Sequence, residues 1–206
     1  MAIGVLIIGR SGSGKSASLR NFKKEELSII NVNGKPFPFK NDFDKVFKTD
    51  SSEMIQKALL RTKSKVVVID DSQYIMANEF MRRSLEKGFD KYNLIAKNFW
   101  DIINTLPNME DDQIVYFLHH EEIDEFGNVK AKTQGKSIDS HIILEGCFTI
   151  VLRTCVNDGN YYFTTQTNGS DPVKSPIGMF SEKMVENDLK KVDSTIRAFY
   201  NFKLLD

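Results

Sequence analysis

The chain has 206 residues, with 28 basic and 28 acidic side chains and a formal net charge of zero. That length buries one full core and fits a single domain over 1–206, while the charge balance excludes bulk attraction to polyanions, leaving only a local basic patch for nucleic acid. No apolar run approaches the roughly 20 residues that span a bilayer, and the N-terminal apolar stretch is too short for a secretory signal, so a cytoplasmic protein with no membrane partner is expected.

Residues 3–8, IGVLII, form the continuous apolar run of a strand buried on both faces, the mark of a parallel α/β sheet. A glycine-rich turn follows, then a short helix predicted from about Lys15 to Phe22. A second strand is predicted over 27–32, ended by the turn Asn33-Gly34 and by Pro36 and Pro38. Ser51 and Ser52 are candidate caps for a helix to about Arg61, with Met54, Ala58 and Leu59 at helical spacing. The run KVVVID then ends at Asp70. Residues 74–106 carry two helical stretches broken near Gly88, with Pro107 closing the second.

A further buried strand is predicted over 113–118. Beyond His119 the pattern changes to antiparallel hairpins, one around Gly127-Asn128 and one joining CFTIVLRTCV to YYFTTQT through residues 157–160. A last helix, from about Asp188 to Phe202, carries Leu189, Val192, Ile196 and Phe199 as an apolar stripe. Cys147 and Cys155 lie eight apart in what reads as one strand. At about 3.3 Å per residue they are out of disulfide reach, and core thiols are expected.

Residues 9–16, GRSGSGKS, match G-x-x-x-x-G-K-[ST], the Walker A phosphate loop, in the required setting of buried strand before and helix after. Glycines there permit positive φ and close approach, so successive backbone N–H groups form an anion-binding concavity at a helix N-terminus. Gly9, Ser11, Gly12, Ser13, Gly14, Lys15, Ser16 and Ala17 are the candidate ATP-phosphate residues. Lys15 is expected to neutralise the β and γ phosphates, and Ser16 to bind Mg2+. No Asn-Lys-x-Asp segment is present to read a guanine edge.

The strand ending in Asp70 and Asp71 fits Walker B, with Asp70 reaching Mg2+. Asp71 reads equally as a general base or as a solvated loop acid. His119 and His120 fall at the C-terminal end of a strand, the edge where ligands of open α/β sheets gather. A γ-phosphate sensor and a structural histidine are both open; the two point to opposite faces, and a zinc site is disfavoured for want of a third ligand.

Taken together, GRSGSGKSASLRNF, IINVNGKPFPF, VVVIDDSQYIM, the HHE after the next strand, KTQGKSID, FTTQTNGSDPVKSPIGMF and the final NDL helix resemble the RecA-like phage ATPases of the Sak group, single-strand annealing proteins of phage recombination modules. The resemblance spans nearly the whole chain. It implies a RecA-like P-loop NTPase core with C-terminal antiparallel strands, ATP hydrolysis, single-stranded DNA as partner, a homo-oligomer on DNA, and the host cytoplasm as location. By position, the segments 71–92 and 121–139 correspond to DNA-facing loops, so Arg82, Arg83, Lys130 and Lys132 are candidate phosphate contacts, against the plainer reading of a solvated helix face. Tyr161, Tyr162 or Phe163 would stack on bases or belong to a core strand. Lys136 is a candidate to reach a neighbour's γ phosphate.

One departure stands out. Related recombinases place a water-activating glutamate at the end of the second strand, where this chain has Asn31, Val32 and Asn33. Two other P-loop functions stay open: a helicase-loading or regulatory ATPase acting on a protein partner, and a small-molecule kinase.

Overall fold

The structure, a computed structural model, describes residues 1–134 and 142–205. Among them nine strands form one sheet: β1 (Ile3–Gly9), β2 (Leu27–Asn31), β3 (Val46–Lys48), β4 (Val66–Asp70), β5 (Ile114–Ile123), β6 (Val129–Ala131), β7 (Ile150–Asn157), β8 (Asn160–Thr164) and β9 (Met184–Glu186). The α-helices described are α1 (Ser52–Arg61), α2 (Gln73–Arg82), α3 (Asp90–Ile103) and α4 (Leu189–Phe199). The order across the sheet is β3-β2-β4-β5-β1-β7-β8-β9, with β6 folded back on β5. The pairs from β3 to β7 are parallel and β7-β8-β9 are antiparallel. The protein is therefore α/β, with a mostly parallel sheet, flanking helices and C-terminal antiparallel strands.

Alternation in β1 explains the two layers. Leu6 and Ile8 face a core completed by Ile55 and Leu59 of α1, Ile75 of α2, and Ile95 and Phe99 of α3. Val5 and Ile7 face the opposite core, completed by Leu189, Val192 and Ile196 of α4. Both faces of the strand are buried, which is why its sequence reads as an unbroken apolar run. Beneath α4, Asp193 and Arg197 are fully buried and paired at 2.6 Å.

The register carries the functional edge. Gly9 pairs with His120 and Asn31 with Asp70, so the ends of β1, β2 and β4 lie along one edge, beside the histidines of β5. The hairpin between β7 and β8 turns on Asp158 and Gly159, both at positive φ, the backbone that a two-residue turn between twisted strands requires. Among the described residues, no helix is long and apolar enough to cross a membrane.

The short helix expected from about Lys15 to Phe22 is present as a six-residue 3-10 helix, Ser16–Asn21, flanked by those two residues. The Ser18 hydroxyl bonds the Lys15 carbonyl at 2.6 Å, and Phe22 turns into extended backbone and is buried in the core. Several expectations need correction. The buried face of α1 is Ile55 and Leu59, while Met54 is exposed; Phe199 is likewise half exposed at the end of α4. Cys147 is no core thiol: it is exposed and ends a 3-10 turn, and Cys155 on β7 is only partly buried. β5 runs on to Ile123, taking in both histidines. The edge strand β3 was not expected; only three residues long, it lacks the alternation that marks a strand.

Candidate phosphate-binding site

A cavity of about 540 Å3 opens at the edge where β1 and β4 end, within the roughly 300–1,000 Å3 of ligand pockets. Its lining includes Ser11, Gly12, Gly14, Lys15, Ser16 and Ala17 from the phosphate loop, Asp70 and Asp71 from the end of β4, and His120 from β5. Lys35, Pro36 and Pro38 from the loop after β2, and Tyr161 from β8, complete the wall. The cavity thus gathers both predicted motifs.

The loop's backbone explains its glycines. Gly12 and Gly14 sit at φ +77 and +98, a region that L side chains rarely adopt. A Cβ on Gly14 would also lie 2.8 Å from Tyr161 Cδ1 and 3.1 Å from Asn187 Oδ1, and one on Gly9 would collide with the Thr154 hydroxyl. Thr154, on β7, hydrogen-bonds Ser13 at 2.5 Å. Arg10, which follows Gly9, lies 3.6 Å from Glu121, itself clamped by Arg153 through bonds of 2.7 and 2.8 Å. Ser13 and Arg10 therefore anchor the loop to β7 and β5.

Lys15 folds back over this loop and donates to the carbonyls of Gly9 and Arg10 at 2.8 and 2.9 Å. Burial lowers its pKa to about 8, although Asp71, Asp70 and Glu121 pull the other way. Ser16 donates to Asp70 Oδ1 at 2.8 Å across 54 residues of sequence. Burial raises Asp70 to about 6, against the Ser16 hydrogen bond and the charge of Lys15. A hydroxyl and a carboxylate at hydrogen-bond distance are hard oxygens of the kind Mg2+ takes, and they fit it. Among the described residues no three His, Cys, Asp or Glu side chains form a metal-binding group, so such an ion would complete its shell with phosphate and water.

Asp71 departs from both roles read for it. It sits at φ 61, uncommon outside glycine, and is well below half exposed. Asn33 and Lys35 each donate to its Oδ2 at 2.9 Å, and His120 Nε2 lies 3.3 Å from Oδ1. Burial opposes its ionisation, yet the bonds from His120, Asn33 and Lys35 outweigh burial and hold the carboxyl well below the usual range. A carboxylate so stabilised is a weak proton acceptor, which argues against Asp71 as general base.

The histidines separate as strand alternation requires. His120 reaches the cavity, its ring edge-on to Tyr74. His119 is fully buried away from it, as a structural residue: its Nε2–H donates to the Lys132 carbonyl at 2.8 Å, leaving Nδ1 to accept from Ser72 Oγ at 2.9 Å. Burial lowers its pKa to about 4, so it is neutral near pH 7. Neither nitrogen is left for a phosphate, which removes His119 from the catalytic candidates.

The expected DNA-facing cations lie off the cavity, and Arg82, Arg83 and Lys130 hold acidic partners. Arg82 pairs with Asp50 at 2.6 Å, Arg83 with Glu86 and Glu79, and Lys130 with Glu122 at 3.0 Å. The Lys132 backbone joins β5 by donating to the His120 carbonyl at 2.8 Å. Phe163 is fully buried, so it has no face to stack on a base, and Tyr161 lines the cavity. Lys136 lies outside the described residues.

Sequence reasoning missed Thr154, Glu121, Arg153, Asn33 and Lys35. Only the Asn33-Gly34 turn and the following KPFPF hinted that the loop after β2 was unusual. Comparison with protein-family models and with curated proteins finds no match to this chain.

Proposed function

We propose that this chain is a Mg2+-dependent, RecA-like P-loop ATPase that acts with single-stranded DNA in phage recombination or strand annealing. The observation that carries the nucleotide reading is the meeting of Ser16 and Asp70 beside Lys15 in one cavity. Strand order supports the RecA-like reading over a small-molecule kinase, because β5 stands between the phosphate-loop strand β1 and the Asp70 strand β4. DNA as partner rests on the sequence resemblance.

In this reading the triphosphate lies along residues 11–17, and Lys15 leaves the Gly9 and Arg10 carbonyls for phosphate oxygens. Ser16 and Asp70 hold Mg2+, which neutralises charge on the β and γ phosphates when bound. Tyr161, packed on Gly14, walls the cavity on the β8 side. Hydrolysis joins a water oxygen to Pγ and breaks the bond from Pγ to the bridging oxygen. That oxygen stays on ADP, and the water protons end on inorganic phosphate.

Asp70 makes the metal step pH-dependent. Its folded pKa of about 6 lies above the ordinary 3.8, so between these values the folded protein holds the extra proton, and metal binding must displace it. Mg2+-dependent ATP affinity is expected to fall about tenfold per pH unit below pH 6, measured by titration calorimetry. In Asp70→Asn the affinity should be weak, and its fall over the same window should be reduced to that caused by titration of the γ phosphate itself.

The test of function is ATP hydrolysis with and without single-stranded DNA at low and moderate salt, with Lys15→Ala as control. DNA should stimulate turnover, the stimulation should fade with salt as phosphate contacts are replaced by counterions, and Lys15→Ala should be silent. Turnover indifferent to DNA would remove the DNA reading and leave the nucleotide site standing.

A further inference from the structure

The loop after β2 brings a lysine to the cavity that no motif announces. Lys35 is 61% exposed at its side chain, yet its position is set from three sides. Asp71 accepts from its ammonium at 2.9 Å, the Tyr74 ring lies beneath it at 5.1 Å, and Pro36 and Pro38 restrict the backbone that follows. The acceptor is itself fixed, since Asn33 holds the same carboxylate oxygen as Lys35 and His120 faces the other.

An exposed lysine ordinarily loses more rotamer entropy on being ordered than a surface ion pair returns. Here the fold also places Asp71 in a left-handed backbone conformation, which costs free energy in a residue with a side chain. This arrangement stands on the wall of the cavity that holds Lys15, Ser16 and Asp70. The Lys35 charge is among those that lower the Lys15 pKa, as a nearby cation must. Two cations across one cavity repel each other until a polyanion bridges them.

We infer that Lys35 is a second phosphate-contacting cation of this site, supplied by the same chain, and that Asp71 and His120 position it. This rests on reading the cavity as an ATP site. Lys15 serves the loop side of the triphosphate, and Lys35 serves the γ phosphoryl oxygens from the β2 side. As water bonds to Pγ and the bond to the bridging oxygen breaks, charge on those oxygens is met by a preset ammonium. The contact is made within one chain, so it does not draw on a neighbour's Lys35.

The test uses four full-length proteins: wild type, Lys15→Ala, Lys35→Ala and Lys35→Arg. Binding of a fluorescent ATP analogue and single-turnover hydrolysis of ATP are measured on each, and Lys35→Ala is also assayed mixed with Lys15→Ala. Lys35→Ala should bind the analogue within about tenfold of wild type and lose about 100-fold or more in rate. Lys35→Arg, which keeps the charge, should recover part of that rate. Mixing should restore nothing, because the protomer that binds ATP lacks the lysine and the protomer that carries it binds no ATP.

Wild-type turnover in Lys35→Ala would overturn the inference and leave the ATP site intact. Recovery of activity on mixing would overturn it too, by showing that Lys35 acts between subunits. Absence of analogue binding by wild type would remove the nucleotide reading itself, and the inference with it.

Discussion

Lys15→Met is expected to abolish ATP binding and yet raise the melting temperature of the ligand-free protein. The loss follows from the charge: an ammonium that meets phosphate oxygens in a buried site is replaced by a thioether, at a cost of about 100-fold or more in Kd. The gain follows from burial. Lys15 is 6% exposed and its pKa falls from 10.5 to about 8, a shift worth about 3 kcal/mol against the charged form below pH 8. Its two bonds to the Gly9 and Arg10 carbonyls offset part of that in stability, leaving a net gain of about 1 kcal/mol, or about 2–4 °C for a chain of this size.

The pH dependence gives the sign a second check. Between pH 8 and 10.5 the unfolded chain still holds the Lys15 proton while the folded one has lost it, so wild-type stability from this group rises across that window. The Met variant lacks this rise of about 1.4 kcal/mol per pH unit, so its advantage of about 1 kcal/mol should vanish at about pH 9 and reverse by about pH 10. Calorimetry at pH 7 and at pH 10 without nucleotide tests both statements. A lower melting temperature for Lys15→Met at pH 7 would mean that the two carbonyl bonds outweigh burial of the charge.

Asp193→Ala is expected to cost more stability than any other single change named here, about 3–5 kcal/mol, or about 10 °C in melting temperature. Asp193 and Arg197 are fully buried. Asp193 accepts from the Tyr116 hydroxyl at 2.8 Å and from Arg197 Nε at 2.6 Å. Arg197 also donates to the carbonyls of Lys65, Asp112 and Lys203, tying α4 to the entries of β4 and β5. Removing the carboxylate leaves a guanidinium charge in the core without its counterion, whereas replacing both residues by apolar ones removes charge and counterion together. Urea unfolding should therefore show Asp193→Ala less stable than the double variant Asp193→Leu, Arg197→Met. A loss below about 1 kcal/mol, the scale of an exposed pair, would refute the assignment.

The same helix connects stability to the site. Asp188, at the start of α4, caps the N–H groups of Lys190 and Lys191 and accepts from Asn21, while Arg20 donates to the Asn187 carbonyl at 2.5 Å. Loosening α4 in Asp193→Ala should therefore weaken ATP binding as well as stability, although Asp193 does not line the cavity.

What the sequence by itself determined is what depends on neighbours along the chain. The spacing of Gly9, Gly12, Gly14, Lys15 and Ser16 is a property of one turn, and the left-handed backbone it requires at Gly12 and Gly14 is present. Apolar runs ending in Gly9 and Asp70 mark strands buried on both faces, and the alternation of a strand separates His119 from His120. Which histidine faces the cavity, however, depends on the register of β5 against β1, and hydrophobic pattern carries no record of that register once both faces of a strand are buried.

Only the tertiary structure decided the rest. The placement of β5 between β1 and β4, the closure of the loop by Thr154 and Glu121, and the gathering of Asn33, Lys35 and His120 on Asp71 all join residues remote in sequence. Each of those side chains is ordinary in its local setting, an exposed loop lysine or a strand threonine, and periodicity reports burial without naming the partner. Ser16 and Asp70 illustrate the division. Each could be read from its own segment, but the 2.8 Å between them exists because the sheet sets the ends of two strands, separated by β5, on the same edge.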